Sequence, residues 1–142
     1  MEYKNKMNLK FLSLGENESF ARLAVASFCS NVGFDVEEIS DIKTAVSEGV
    51  TNAIVHGYDG NTGEIEIECC IFEDYVQIKI IDCGKGIDNI EKALTPFFTT
   101  KPDKERSGMG FTVMEGFMDK MEVFSQINKG TTVVLTKNIK RR

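Results

Sequence analysis

The sequence has no tryptophan, one histidine and two prolines, and both prolines, Pro96 and Pro102, fall in a single short stretch. Proline breaks helices and ladder pairing, so the rest of the chain is free of that barrier to regular structure. No apolar run reaches membrane-spanning length and no signal-peptide pattern is present, so a soluble, cytoplasmic protein without membrane contact is expected. The four cysteines, Cys29, Cys69, Cys70 and Cys83, show no CxxC spacing. They read as reduced, mostly buried thiols, with the neighbours Cys69 and Cys70 pointing to opposite faces of a strand. A basic excess is missing too. Seventeen Lys and Arg against 22 Asp and Glu leave a net charge of −5, which excludes broad, sequence-independent binding to nucleic acid. Lys137, Lys140, Arg141 and Arg142 read as a short, solvated basic tail. GxxxxGK[ST], HRD and DFG are all absent, so phosphate chemistry of those kinds is excluded as well.

What remains is an ordinary globular composition, 42% hydrophobic and 27% charged over 142 residues, enough for one domain with a proper core. Met7, Leu9 and Phe11 alternate with polar residues and predict a first strand. A helix is expected from about Asn17 to Val32, with Asn17 as N-cap, Phe20, Leu23, Ala24, Ser27 and Phe28 inward, and Gly33 as its stop. Asp35-Val-Glu-Glu38 has the form of a capping box opening a long helix that Gly57 closes. Glu64 to Phe72 alternates with Ile65, Ile67, Cys69 and Ile71 on one face, and Val76, Ile78 and Ile80 continue the pattern in a second strand. A short helical piece fits Asp88 to Leu94, and residues 95–107 have the composition of a mobile loop. Gly108-Met-Gly110 opens a helix to about Met118, and strands over Met121–Gln126 and Thr131–Lys137 flank a turn at Asn128-Lys-Gly130. Closely spaced hairpins among helices imply an α/β two-layer sandwich, a mixed, largely antiparallel sheet with helices on one face.

Three features depart from packing alone. On the long helix, Glu48, Asn52 and His56 lie four apart, each displaced about 40° from the last, and form a polar ridge bordering the apolar stripe of Ile39, Ile42, Val46, Gly49, Val50 and Ala53. Asp82 continues the inward register of Val76, Ile78 and Ile80, and a carboxylate ending a buried row needs a partner. The glycines at 108 and 110 stand at a helix N-terminus, whose free N–H groups and positive dipole end suit phosphate oxygens. Asp82 can accept from an exocyclic amine, Gly84 and Gly86 leave room for a flat ring, and Asn52 offers a neutral oxygen to Mg2+. Together they describe a purine nucleotide site.

Each feature alone reads more blandly. Glu48 would be a solvated helix carboxylate, Asp82-x-Gly84 a turn, Gly108-x-Gly110 a helix entry, and Lys101 a solvated loop charge. Gly49 and Gly116 inside helices suggest close packing. His56, without a helix pair ahead of it, reads as structural or as a support to the site rather than as a phospho-acceptor.

Glu48-x-x-x-Asn52, Asp82-x-Gly84-x-Gly86, Gly108-x-Gly110 and Gly130-Thr131 follow the order of boxes of the GHKL superfamily, the ATP-binding fold shared by gyrase and histidine kinases, which they resemble. The runs Asn17-Glu-Ser-Phe-Ala-Arg22, Val46-Ser-Glu-Gly-Val-Thr-Asn-Ala-Ile-Val-His-Gly57, Phe98-Thr-Thr-Lys-Pro102 and Glu105-Arg-Ser-Gly-Met-Gly-Phe-Thr112 are similar to the anti-sigma F factors of spore-forming bacteria. That resemblance implies a serine protein kinase that binds and inhibits a sporulation sigma factor and phosphorylates its anti-sigma antagonist. It puts the general base on Glu48, Mg2+ on Asn52, the adenine amino group on Asp82 and the base pocket on Gly84, Gly86 and Thr131. Lys101 and Arg106 are the candidates to neutralise transition-state charge, Arg106 preferred because it adjoins the phosphate-binding turn, and Thr99, Thr100, Lys101, Ser107, Gly108, Met109, Gly110 and Phe111 are implied as ATP contacts, with a lid at about 95–107. A homodimer is implied, with the outer side of the first helix, at Glu18 and Arg22, as a partner surface. The alternatives are a sigma-binding module that uses ATP only as a structural ligand, and a histidine-kinase-type catalytic domain.

Overall fold

The computed structural model describes residues 2–94 and 110–140. In chain order these form β1 (Asn5–Leu12), α1 (Glu16–Cys29), α2 (Val36–Asn52), a π-helical turn (Ala53–Gly57), β2 (Glu64–Ile71), β3 (Tyr75–Asp82), α3 (Ile90–Ala93), α4 (Gly110–Phe117), β4 (Lys120–Gln126) and β5 (Gly130–Asn138). The five strands make one sheet in the order β1-β2-β3-β5-β4, and all four pairings are antiparallel, so the mixed character allowed by the sequence is not present among them.

The sheet has two unlike faces because its strands alternate. Ile65, Ile67, Cys69 and Ile71 of β2 and Val76, Ile78 and Ile80 of β3 are buried. Their register continues into Val133 and Leu135 of β5, and the helices cover this face. The opposite face carries cross-strand pairs of opposite charge such as Lys10 with Glu66 and Glu68 with Lys79. Cys69 is buried and Cys70 half-buried, as expected of neighbours on a strand, whereas Cys83 is exposed. All four are free thiols.

α2 lies between α1 and α4 and crosses the sheet at β3. Its start follows the expected capping box: Glu38 N–H donates to the Asp35 carboxylate at 2.8 Å and Asp35 N–H to that of Glu38 at 3.0 Å. Gly49 is the contact point with the sheet, since a Cβ there would overlap Ile80 and come to 3.4 Å of Met114 Sδ. Gly116 has open space around it, so the close packing expected there is absent.

α1 departs further from expectation. It begins at Glu16 behind Gly15, and Asn17, expected to cap it, instead donates its side-chain amide to the Leu12 carbonyl at 2.9 Å, holding the end of β1. Its buried side is Ala21, Val25, Ala26 and Cys29, while Phe20 and Leu23, expected inward, are 51% and 53% exposed. Both sides of this helix are apolar, and the small residues face α2 because they let the two helices approach closely. Lys137 is also misplaced by a sequence reading. It is buried on β5, where its Nζ donates to the Phe117 carbonyl at 2.6 Å and lies 3.4 Å from Asp41 Oδ2. Rather than a solvated tail, it caps the C-terminal end of α4. No helix among the described residues is long and apolar enough to cross a membrane.

Candidate nucleotide site

The site grows from the C-terminal half of α2. Ile42, Val46, Gly49 and Val50 are buried, and Glu48 and Asn52 stand half-buried one turn apart beside them. After Asn52 the helix widens into the π-turn, closed by Tyr58 N–H donating to the Ala53 carbonyl at 3.0 Å. The α-helical spacing thus holds from Glu48 to Asn52 but not from Asn52 to His56, so the three residues are not one regular ridge. His56 is half-buried within the π-turn.

The two ends of this stretch touch the other two motifs. Gly110, the first residue of α4, is buried against Asn52: a Cβ at 110 would lie 2.9 Å from Asn52 Oδ1 and 3.0 Å from Nδ2. One turn beyond, Gly57 faces Asp82, whose carboxylate oxygens would be 2.9 and 3.0 Å from a Cβ at 57. Asn52 and Gly57, at the two ends of the π-turn, thus meet Gly110 and Asp82 respectively.

Asp82 ends β3 and is 7% exposed. Its Oδ1 accepts the Gly84 N–H at 2.9 Å. Burial raises its pKa above the usual carboxylate range, and the backbone N–H groups of Gly84 and Thr131 oppose the rise. Thr131 sits opposite on β5, with its hydroxyl 2.8 Å from that of Ser125. Ser125 Oγ also accepts the Ile87 N–H at 2.8 Å and donates to the Gly130 carbonyl at 3.0 Å. Ser125 was not singled out from sequence, although the signal existed: after Met121 and Val123 it is the polar end of an inward row, as Asp82 is after Ile80.

The glycines after Asp82 serve a different purpose from the one expected. A Cβ at Gly84 would overlap the Gly57 carbonyl, and one at Gly86, where φ is 77°, would overlap the Gln126 carbonyl. The space they free is filled by the protein's own backbone rather than left open for a ring. Lys85 N–H donates to the Gly57 carbonyl at 2.8 Å and Asn128 N–H to that of Lys85 at 2.7 Å, so this turn is stitched to both the π-turn and the β4–β5 hairpin. Tyr58, also not singled out from sequence, accepts the Cys83 N–H on its hydroxyl at 2.9 Å.

Phe111, the second described residue of α4, packs its ring partly against the core. Thr99, Thr100, Lys101, Arg106, Ser107, Gly108 and Met109, together with the lid expected at 95–107, lie outside the described residues. Among the described residues no group of three or more His, Cys, Asp or Glu could hold a metal ion. The neutral oxygen of Asn52 fits a Mg2+ held chiefly by phosphates and water rather than by a protein cage.

Residues 13–137 match the histidine kinase-like ATPase domain. The anti-sigma F factor of Caldanaerobacter subterraneus subsp. tengcongensis is 55% identical over 141 residues, covering 99% of each chain. That of Clostridium beijerinckii is 57% identical over 134 residues, 94% of each. The crystal structure of the RsbU and RsbW domains of a Mycobacterium tuberculosis protein superposes with a TM-score of 0.70 at 19% identity, covering 98% of this chain and 34% of that one, a likeness of fold. A family match across most of the chain, with more than half the residues identical over nearly the whole of both sequences, means that the chain belongs to the anti-sigma F factor family of histidine kinase-like ATPases.

Proposed function

We propose that the protein is an ATP-dependent serine kinase and anti-sigma factor of the cytoplasm. In this reading it holds a sporulation sigma factor inactive and phosphorylates the anti-sigma antagonist on serine. The observation that carries the nucleotide half is the convergence of Asn52 with Gly110 and of Gly57 with Asp82 at one helix end. A buried carboxylate aimed from one side and an amide beside a helix N-terminus on the other match the two ends of a purine nucleotide. The relatives' name supports the sigma factor as partner.

Bound ATP supplies the phosphoryl group. Asp82 accepts a hydrogen bond from the adenine amine, with Thr131 beside it, and the turn through Gly84 and Gly86 holds the pocket wall. Asn52 would hold Mg2+ through its side-chain oxygen, and the start of α4 at Gly110 and Phe111 would take the phosphates. Glu48, one turn before Asn52 on α2, takes the proton from the attacking serine hydroxyl as general base. Arg106, Lys101 and the neighbouring positions 99, 100 and 107–109 are assigned to phosphate and lid on the sequence runs alone. The protein acts as a homodimer, and the outer side of α1, with Phe20 and Leu23 exposed and Glu18 3.5 Å from Arg22, is assigned to protein partners.

The test is to incubate the protein with Mg-ATP and a candidate antagonist and to measure phosphoserine. Glu48→Ala should lower the phosphorylation rate by about 10²–10⁴-fold while nucleotide binding persists. Phosphoserine formed at the parental rate would remove Glu48 from the base role, and ATP-dependent sigma binding with no phosphotransfer would leave a binding module only.

A further inference from the structure

Tyr58 stands at the junction of three elements. It follows the π-turn, its ring covers Gly63 so closely that a Cβ there would overlap it, and its hydroxyl donates to the Glu64 carbonyl while accepting the Cys83 N–H at 2.9 Å. The antiparallel register explains why this matters. Ile65 and Asp82 are the last paired residues of β2 and β3, so Glu64 and Cys83 occupy the next positions along the two strands. There the ladder gives way and the tyrosine hydroxyl stands between the two backbones, linking Glu64 C=O to Cys83 N–H. Cys83 is the residue directly after Asp82, and Gly84, two after it, donates back to the Asp82 carboxylate at 2.9 Å. Whatever fixes Cys83 therefore fixes the direction in which the chain leaves β3.

The far side of this corner is anchored as well. Gly63 N–H donates to Ser13 Oγ at 2.9 Å, and Ser13 N–H donates to the Gly63 carbonyl at 2.8 Å, so the segment under the ring is tied to the end of β1. The hydroxyl is thus held on one side by a braced strand start and bears on the turn that shapes Asp82 on the other.

We infer that Tyr58 is a positioning residue for base selection: through the Cys83 N–H its hydroxyl sets the aim of the Asp82 carboxylate, and so the preference for a purine carrying an amine over one carrying a carbonyl at that place. A carboxylate attracts an exocyclic amine and repels a carbonyl oxygen, so discrimination depends on how squarely it faces the base edge. Phenylalanine at 58 keeps the ring over Gly63 and removes only the bridging oxygen, leaving the Cys83 N–H and the Glu64 carbonyl without it. This inference rests on the reading of Asp82 as the base contact.

The experiment compares Mg-ADP and Mg-GDP affinities by calorimetry for the parent, Tyr58→Phe and Asp82→Asn, with amide hydrogen exchange at Cys83 in the parent and in Tyr58→Phe. The parent should prefer ADP, Asp82→Asn should abolish the preference, and Tyr58→Phe should weaken ADP binding about tenfold with GDP unchanged. Exchange at the Cys83 amide should be slow in the parent and fast in Tyr58→Phe. A parent that does not prefer ADP, or whose preference survives in Asp82→Asn, would overturn the reading of Asp82 and this inference with it. A parental preference lost in Asp82→Asn but retained in Tyr58→Phe would overturn the role of Tyr58 alone. Should Tyr58→Phe fold poorly, a Cys83 amide in the parent that exchanges as fast as an unstructured one would overturn it as well.

Discussion

Gly57 packs directly against the carboxylate of Asp82: a methyl group at position 57 would lie 2.9 Å from Oδ1 and 3.0 Å from Oδ2. The same residue gives its carbonyl to the Lys85 N–H at 2.8 Å, so the end of the long helix and the turn after β3 are one unit. Gly57→Ala should push Asp82 out of place, lowering stability by about 1–3 kcal/mol and weakening ADP binding. Gly84→Ala should be worse, because its methyl would meet the Gly57 backbone rather than a side chain that can move. Urea denaturation and nucleotide titration of the two variants measure both effects.

Asp82 sets stability against binding. Burial raises its folded pKa above the unfolded value, so the acid contributes most below the unfolded pKa and that contribution is lost as pH rises through the folded one. Asp82→Asn should therefore melt higher than the parent at pH 7, with the advantage vanishing as pH falls below about 4. The same substitution removes the charged acceptor and should weaken ADP binding by about 10–100-fold. In the parent, ADP affinity should begin to fall while pH is still above the usual carboxylate range, because the carboxylate must be ionised to accept from the amine. Thermal melts and calorimetry across pH 3–8 check both signs.

Lys137 should prove structural despite its place beside a basic terminus. Replacing it by alanine leaves the Phe117 carbonyl at the end of α4 without its donor at 2.6 Å and leaves Asp41 without its charge partner. A loss of about 1–3 kcal/mol is expected in chemical denaturation. Lys140→Ala, at the exposed end of the chain, should change stability by less than about 0.5 kcal/mol.

The thiols should separate by burial. Burial pushes the Cys29 thiol up to about 12 and raises that of Cys69 as well, with Cys29 and Cys70 adding to the effect at Cys69. In the native protein iodoacetamide should label Cys83 first, Cys70 slowly, and neither Cys29 nor Cys69 even at pH 9. Saturating Mg-ATP should slow labelling of Cys83, which adjoins Asp82. Peptide mapping by mass spectrometry gives the order.

Much of this protein was determined by short-range pattern. Period-two alternation placed β2 and β3, and because the side-chain period is fixed it also carried Asp82 to the end of a buried row. The Asp35–Glu38 box marked the start of α2, since a cap is made within one turn. The spacing of Glu48 and Asn52 put them on one side of α2 for the same reason. Other features were decided only in three dimensions. α1 has two apolar sides, and periodicity cannot say which one meets a neighbour; the closer approach allowed by Ala21, Val25 and Ala26 chose it and left Phe20 and Leu23 outside. The π-turn, which carries Gly57 onto Asp82, leaves no mark in the polar spacing. Tyr58 meets Cys83 across 25 positions and Lys137 meets Asp41 across 96, and no local pattern encodes a partner at such a distance. Local sequence thus dictated which groups the chain offers, and the packing of helix on sheet dictated which of them meet, because burial is a property of the neighbour as much as of the residue.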